Sequence, residues 1–182
     1  MVGLTLPRLE LLFDVVNDDT TAGKSLRPIG RAHAFFRRLR IAVRGQIIED
    51  IDNFNRVSEL FHILQSNHSR FNDAGEEFGY NGDISQLNGV ALLPGSATSQ
   101  TVMFKPLCGL FAQTKYLPLR FCPIEIELEL ADVDEPIVKG SDSTTDDFTD
   151  LNTSAKWKLE NCMVKVDICS LDNVSIIPTF RI

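Results

Sequence analysis

The feature that most constrains the fold is a strand-like segment followed by a helix-like segment in residues 34–64. Between residues 35 and 43, side chains that alternate across a strand place Leu39, Ile41 and Val43 on a core-facing side. The opposite, outer face is predicted to carry Phe36, Arg38, Arg40, Ala42 and Arg44. Gly45-Gln46 is predicted to turn the chain, so that residues 47–51 pair antiparallel with this strand. Paired strands of this kind are typical of a β-sandwich.

Residues 52–64 change to the spacing of an amphipathic helix, with Asp52 as the predicted N-cap. Apolar side chains recur there every three or four positions, which predicts one face against the core. The side chains predicted on this face are Phe54, Val57, Leu60, Phe61 and Leu64.

Residues 124–130 alternate strictly between apolar and acidic side chains, which predicts a half-buried strand. The inward set is Ile124, Ile126, Leu128 and Leu130, and the outward set is Glu125, Glu127 and Glu129. Three carboxylates on one face repel each other unless they are solvated or paired. The arginine face near residue 40 is the expected partner, within this subunit or in the next.

Further strands are predicted at residues 9–16, 101–107 and 157–171, the last with a β-bulge near Glu160-Asn161 that restores its alternation. Residues 109–114 are predicted to form a loop or helical turn. Polar, turn-rich loops are expected at about residues 65–95 and 138–155. The prediction is an all-β fold, a single domain over residues 1–182: an antiparallel jelly-roll β-sandwich with one or two short helices and long loops.

Composition supports a globular chain, with 43% hydrophobic and 24% charged residues among 182. No apolar run approaches the roughly 20 residues that cross a bilayer, so no membrane span is expected. The net charge of -7 is uneven: six arginines lie within residues 27–44, where there is no acid, whereas residues 125–150 hold ten acids and only Lys139 in opposition. This asymmetry favours a basic and an acidic face, suited to contacts between subunits or to an inward surface near nucleic acid.

Residues that carry chemistry are not grouped in the sequence. No motif of a common nucleotide-binding, hydrolase or metal-dependent enzyme is present, so we expect no catalytic residues, no cofactor and no enzymatic activity. His33, His62 and His68 and the four cysteines lack the spacing of a zinc site. The one metal considered is a structural Ca²⁺, for which the candidate ligands are Asp18, Asp19, Asp132, Asp134 and Glu135, with solvated turn acids as the plainer alternative.

An apolar loop at residues 107–116 is the candidate contact patch. Leu110, Phe111 and Tyr116 would be costly to expose, so they either contact another subunit or are buried in the core of their own. The other expected subunit contacts are Glu125, Glu127 and Glu129. Arg37, Arg38, Arg40 and Arg44 form the predicted basic face toward nucleic acid or a neighbouring subunit.

The order of these segments resembles that of jelly-roll capsid proteins of small icosahedral viruses of eukaryotes, of the protist or invertebrate type. The resemblance lies in the strand, hairpin and helix of residues 35–57, in Gly109-Leu-Phe and Lys115-Tyr-Leu-Pro-Leu-Arg-Phe, and in the closing Leu171-Asp-Asn. It would cover most of residues 25–173. The resemblance implies a structural protein that self-assembles into an icosahedral shell enclosing the genome.

The resemblance also implies the partners and the location. The partners would be other copies of this chain, other capsid proteins and packaged nucleic acid held by sequence-independent phosphate contacts, in a virion assembled inside the host cell. Two alternatives stay open: a minor subunit at the vertices of a shell, and a monomeric β-sandwich module that binds carbohydrate or protein.

Overall fold

The computed structural model describes residues 2–21, 24–26, 28–66, 68–69, 99–112, 116–137 and 153–170, with the backbone alone for residues 2–8 and 169–170. Most of the two predicted loops, 65–95 and 138–155, lies outside these residues. Within them the chain forms seven β-strands, one α-helix and two short 3-10 helices, Ala32–Phe35 and Leu110–Ala112. The strands and helix are β1 Val2–Asn17, β2 Phe36–Val43, β3 Gln46–Ile51, α1 Phe54–Leu64, β4 Ser99–Phe104, β5 Tyr116–Pro118, β6 Ile124–Leu130 and β7 Trp157–Ser170.

The strands form two antiparallel sheets. In the first sheet, β1 pairs with β4, β5 and β7, and the long β1–β7 pairing joins Val2 to Ser170 and Asn17 to Trp157. In the second sheet, β2 lies between β3 and β6. A mostly β chain with two antiparallel sheets and one helix is compatible with the predicted all-β sandwich.

The two sheets contribute to one hydrophobic core. Alternate β1 side chains, Leu9, Leu11, Phe13 and Val15, are at most 6% exposed. Phe13 meets Phe36 of β2 edge to face, with ring centroids 5.3 Å apart, and this pair joins the two sheets. Each such aromatic pair adds about 0.5–1.5 kcal/mol to the stabilisation from area burial.

Side chains in the middle of β2 point to the predicted faces of the sheet, but Phe36 at the start of the strand does not. Leu39 and Ile41 are fully buried and Arg38 and Arg40 lie on the outer face. Phe36, which we predicted to share the arginine face, is buried at 5% exposure. The register with β6 shifts between Phe36 and Arg38, so Arg37 is the extra residue of a bulge, and the bulge reverses the alternation before it.

The predicted hairpin is present, with its turn one residue earlier than expected. Arg44 and Gly45 connect β2 to β3 with φ angles of 54° and 76°. Two consecutive positive φ angles are the requirement of the two-residue hairpin turn whose twist matches that of its strands. Arg44 therefore belongs to the turn and not to the outer face of β2.

The alternation of β6 is confirmed over most of its length. Ile124, Ile126 and Leu128 pack against the core and the three glutamates are exposed. Leu130, which we predicted to face inward, is 51% exposed at the end of the strand.

Helix α1 is confirmed, but two details of its prediction are wrong. Asn53, with φ of 53°, occupies the N-cap position, and Asp52 instead accepts a hydrogen bond from the Asn53 backbone N–H at 3.0 Å. Phe54 is buried as predicted and Val57 is partly buried, whereas the apolar residues after them are 52–73% exposed: Leu60, Phe61, Ile63 and Leu64. Only the first turns of the helix cover the core within the described chain.

Candidate functional site

The outer face of the second sheet carries a ladder of charged side chains, which contains several of the predicted interface residues. Arg38 donates two hydrogen bonds to the carboxylate of Asp50 on β3, from Nε and Nη2, each 2.7 Å long. Two parallel bonds from one planar guanidinium fix the orientation of both groups. The Arg38 guanidinium holds the pKa of Asp50 below its ordinary value, and Asp50 in turn raises the pKa of Arg38.

Arg40 extends this ladder to β6. Its Nη1 donates to Oε2 of Glu127 at 2.8 Å, and its Nε lies 3.6 Å from Oδ2 of Asp50. The strand register explains these contacts, because Arg40 lies directly opposite Asp50 on one side and Glu127 on the other. The expected contact between the arginine face and the glutamate face is therefore made within one chain.

The other predicted charged residues flank this ladder. Glu129 lies opposite Arg38, and Glu125 lies opposite Ala42 and is exposed. Arg37 at the bulge and Arg44 at the turn are both exposed. The ladder joins two carboxylates to two guanidiniums and is flanked by two further glutamates, so its charge does not favour phosphate, and Arg37 and Arg44 are better placed for such a contact.

The predicted apolar patch is divided between core and surface. Phe111 is 1% exposed and belongs to the hydrophobic core, while Leu110 is partly buried against it. Oε1 of Glu49 accepts a hydrogen bond from the Leu110 backbone N–H at 2.8 Å, which ties this segment to β3. Tyr116 is 58% exposed. Of the three residues, Tyr116 alone remains a surface contact candidate.

Strand β7 lies at an edge of the first sheet within the described part of the chain, and it exposes apolar side chains. Its partner among the described residues is β1. Met163, Val164 and Ile168 are 58%, 54% and 61% exposed. Met163 and Val164 are consecutive and so point to opposite faces of the sheet, which means that each face of this part of β7 carries an apolar side chain that is more than half exposed.

A polar cluster that was not predicted from the sequence joins α1 to the 3-10 helix Ala32–Phe35. Nε2 of the buried His33 lies 3.2 Å from Oε2 of Glu59, and this bond lowers the pKa of the Glu59 carboxyl. Arg31 donates from Nε to Nε2 of His62 at 3.0 Å. The other ring nitrogen of His62, Nδ1, lies 3.3 Å from Oε1 of Gln65.

Gly30 permits this cluster to form. Its φ is +71°, and a Cβ at this position would lie 2.7 Å from Oε2 of Glu59. The local sequence contains the helical pair Glu59 and His62, spaced by three residues, but nothing local links this pair to residues 30–33. The cluster depends on tertiary packing, so no sequence signal could have identified it.

Three of the five candidate Ca²⁺ ligands have other side-chain partners. Lys158 lies 3.0 Å from Asp18, Lys156 lies 3.6 Å from Asp19, and Asn55 donates to Glu135 at 3.4 Å. Across the described ranges, no three histidine, cysteine or carboxylate side chains are close enough to hold a metal ion.

Comparisons with known proteins give no relative: no protein-family model, no curated protein and no solved structure matches the chain. None of the helices in the described residues has the length and apolar character needed to cross a membrane.

Proposed function

We propose that this protein is a structural subunit of a viral capsid, a jelly-roll sandwich that self-associates into an icosahedral shell around the genome. The family resemblance in residues 25–173 suggests the shell. The observation that carries self-association is the apolar edge of β7, at Met163, Val164 and Ile168, where β1 is the one strand partner among the described residues.

An edge strand presents unpaired backbone donors and acceptors, which favour pairing with another chain. Natural monomers protect such edges with charges, prolines or a covering loop. Here the five consecutive residues 161–165 are all exposed, and they include one lysine and three apolar or weakly polar side chains, Cys162, Met163 and Val164. A second copy packed on β7 would bury these side chains and extend the sheet, as in a symmetric or head-to-tail assembly.

The charge ladder also bears on which surfaces meet another subunit, because its arginines pair with acids of the same chain. Arg38 and Arg40 are paired with Asp50 and Glu127 of their own chain, so the ladder stiffens the subunit and its charges are not needed for a contact with another subunit. Genome contact then falls to Arg37 and Arg44, as phosphate contacts that weaken with salt. The virion is the location that this function implies.

The experiment compares three proteins by negative-stain imaging: wild type, Val164→Lys and the matched control Val133→Lys. Val164 and Val133 are 54% and 57% exposed, but Val133 lies in the connection after β6 and not on the β7 edge. We expect closed particles from wild type and Val133→Lys, and a folded, unassembled Val164→Lys protein. Particles from Val164→Lys that equal those of wild type would contradict the role of the edge.

A wild-type protein that forms no particles under any salt condition would contradict the shell itself. That result would favour the alternative of a monomeric sandwich that binds a ligand.

A further inference from the structure

A β-bulge near the middle of β7 determines which of its side chains share a face. Leu12 of β1 lies opposite Met163, and two residues further along β1 Asp14 lies opposite Glu160. Residues 161 and 162 therefore both lie opposite one residue of β1, so together they occupy one position of the strand. Counted in this way, Glu160 and Met163 are two positions apart and lie on the same face.

This face of β7 points away from the hydrophobic core. Side chains that lie directly opposite each other share a face of a sheet, and Leu159 and Val164 lie opposite β1 residues that are buried in the core. The alternate positions of β7 carry one methionine and four charged side chains on the outer face, all of them exposed: Lys158, Glu160, Met163, Lys165 and Asp167.

The charges on the outer face are arranged symmetrically about Met163. Glu160 lies two positions before Met163, and Lys165 lies two positions after it. Lys158 lies four positions before Met163, and Asp167 lies four positions after it. Each charge is thus matched by the opposite charge at the same distance on the other side, so β7 is complementary to an antiparallel copy of itself.

A twofold axis at Met163 would use all of these charges. Met163 would lie opposite its own copy, with Glu160 opposite Lys165 of the second copy and Lys158 opposite Asp167. Opposite charges at such positions stabilise a pair of strands, and like charges destabilise it. Moving the axis by one position in either direction would instead place Lys158 opposite Lys165, or Glu160 opposite Asp167. The charge pattern therefore favours one register and disfavours its neighbours.

The same register matches apolar residues on the other face of β7. Leu159 would lie opposite Val166 of the second copy, and Trp157 would lie opposite Ile168. Three of these four side chains pack partly against the core, while Ile168 is 61% exposed. Pairing would cover Ile168 beside the Trp157 ring, so both faces of the paired strands gain complementary contacts.

The two lysines can accommodate a partner from a second copy. Nζ of Lys158 lies 3.0 Å from carboxylate oxygens of Glu160 and Asp18 in its own chain. Nζ of Lys165 lies 3.2 Å from Oε2 of Glu10. An ammonium group has three donors, and these two lysine side chains are 45% and 67% exposed. Each lysine can therefore bind a further carboxylate without losing its present contacts.

We propose that β7 pairs antiparallel with β7 of a second copy about a twofold axis at Met163. The inference rests on the proposed self-association through the β7 edge and specifies the partner surface and the register. The partner is the same edge of another copy, and not a different surface of it as in a head-to-tail assembly.

Disulfide cross-linking tests the register. Met163→Cys, made together with Cys162→Ser to remove the neighbouring exposed thiol, should link to its own copy under mild oxidation. Residues directly opposite on antiparallel strands have Cα atoms about 4.5 or 5.5 Å apart, within the range of about 4.4–6.8 Å that a disulfide spans. Ile168→Cys in the same background is the control. Met163 and Ile168 are 58% and 61% exposed, but two copies of position 168 would lie about 33 Å apart.

Peptide mapping should find position 163 joined to its own copy about tenfold more often than position 168. Equal yields at the two positions, in a protein that still self-associates by light scattering, would overturn the twofold register and leave self-association intact. A wild-type protein that is monomeric at every salt and protein concentration would overturn both proposals.

A charge exchange tests the ion pairs across the axis. Glu160→Lys and Lys165→Glu would each place like charges opposite each other twice in the dimer, and each should raise the protein concentration needed for association about tenfold. The double variant restores opposite charges across the axis and should recover most of this loss. Contacts within one chain are present before and after association, so they affect this comparison little. A double variant that associates no better than the single variants would refute the pairing.

Discussion

Arg40 on β2 and Glu127 on β6 are separated by 87 positions in the chain, yet Nη1 of the arginine lies 2.8 Å from Oε2 of the glutamate. The antiparallel register places the two residues directly opposite each other. This contact joins the early hairpin to the alternating acidic strand and orders the outer face of the second sheet.

Reversing the charge of Glu127 tests this contact. In Glu127→Lys an ammonium would lie opposite Arg40, and like charges on directly opposite strand positions destabilise a sheet, here by about 1 kcal/mol. The measurement is urea denaturation. Glu125→Lys is the control, because Glu125 is on the same strand face but lies opposite Ala42. An equal shift in the two variants would argue against a specific pair.

Stability should depend on the ionisation of Asp50 at acid pH. The two bonds from Arg38 lower the pKa of this carboxyl in the folded chain, so Asp50 stabilises the fold fully at pH values above its unfolded pKa of about 3.9. This contribution is lost as the pH falls through the folded pKa. The melting temperatures of wild type and Asp50→Asn should therefore differ at pH 6 and converge well below pH 4. A difference that persists at the lowest pH would contradict this assignment.

Substitutions at Phe111 and at Tyr116 should change the unfolding free energy by different amounts, because Phe111 is in the core and Tyr116 is on the surface. Phe111→Ala removes a side chain that is 1% exposed and should cost about 3–5 kcal/mol of unfolding free energy. Tyr116→Ala changes a residue that is 58% exposed and should stay within about 0.5 kcal/mol of wild type. Chemical denaturation of both variants measures this difference, and similar losses would show that the segment packs otherwise.

Two of the cysteines should differ in reactivity. Burial raises the pKa of Cys108 to about 12, while Cys162 is exposed. The thiolate is the nucleophile, and a raised pKa keeps the Cys108 thiol protonated at pH 8. Timed iodoacetamide labelling with peptide mass mapping should modify Cys162 well before Cys108. Equal rates would show that Cys108 is accessible in the native protein.

Patterns that are local in sequence predicted the strands well. The alternation of residues 124–130 predicted β6. In residues 157–171, a break in the alternation at Glu160-Asn161 predicted the bulge in β7, where the register with β1 shifts and Asn161 has a φ of 50°. The hairpin around Gly45 was also predictable, because a short glycine turn between two apolar segments has few other solutions.

Features that depend on tertiary packing were not predictable from the sequence. No local sequence pattern indicates the bulge at Arg37, so the Phe36 side chain was predicted on the outer face although it is buried. Periodicity indicated an apolar face on α1 but could not show that only its first turns meet the sheets. The contact between His33 and Glu59 joins residues 26 positions apart and follows from the packing of α1 on the 3-10 helix.

The proposal that copies of this protein associate can be tested by measuring the mass of the purified native protein. Light scattering at low and high salt gives this mass without reference to any contact. The shell proposal predicts closed species in the megadalton range, built from the 20.4 kDa chain. A single species near 20 kDa at every salt and protein concentration would contradict it.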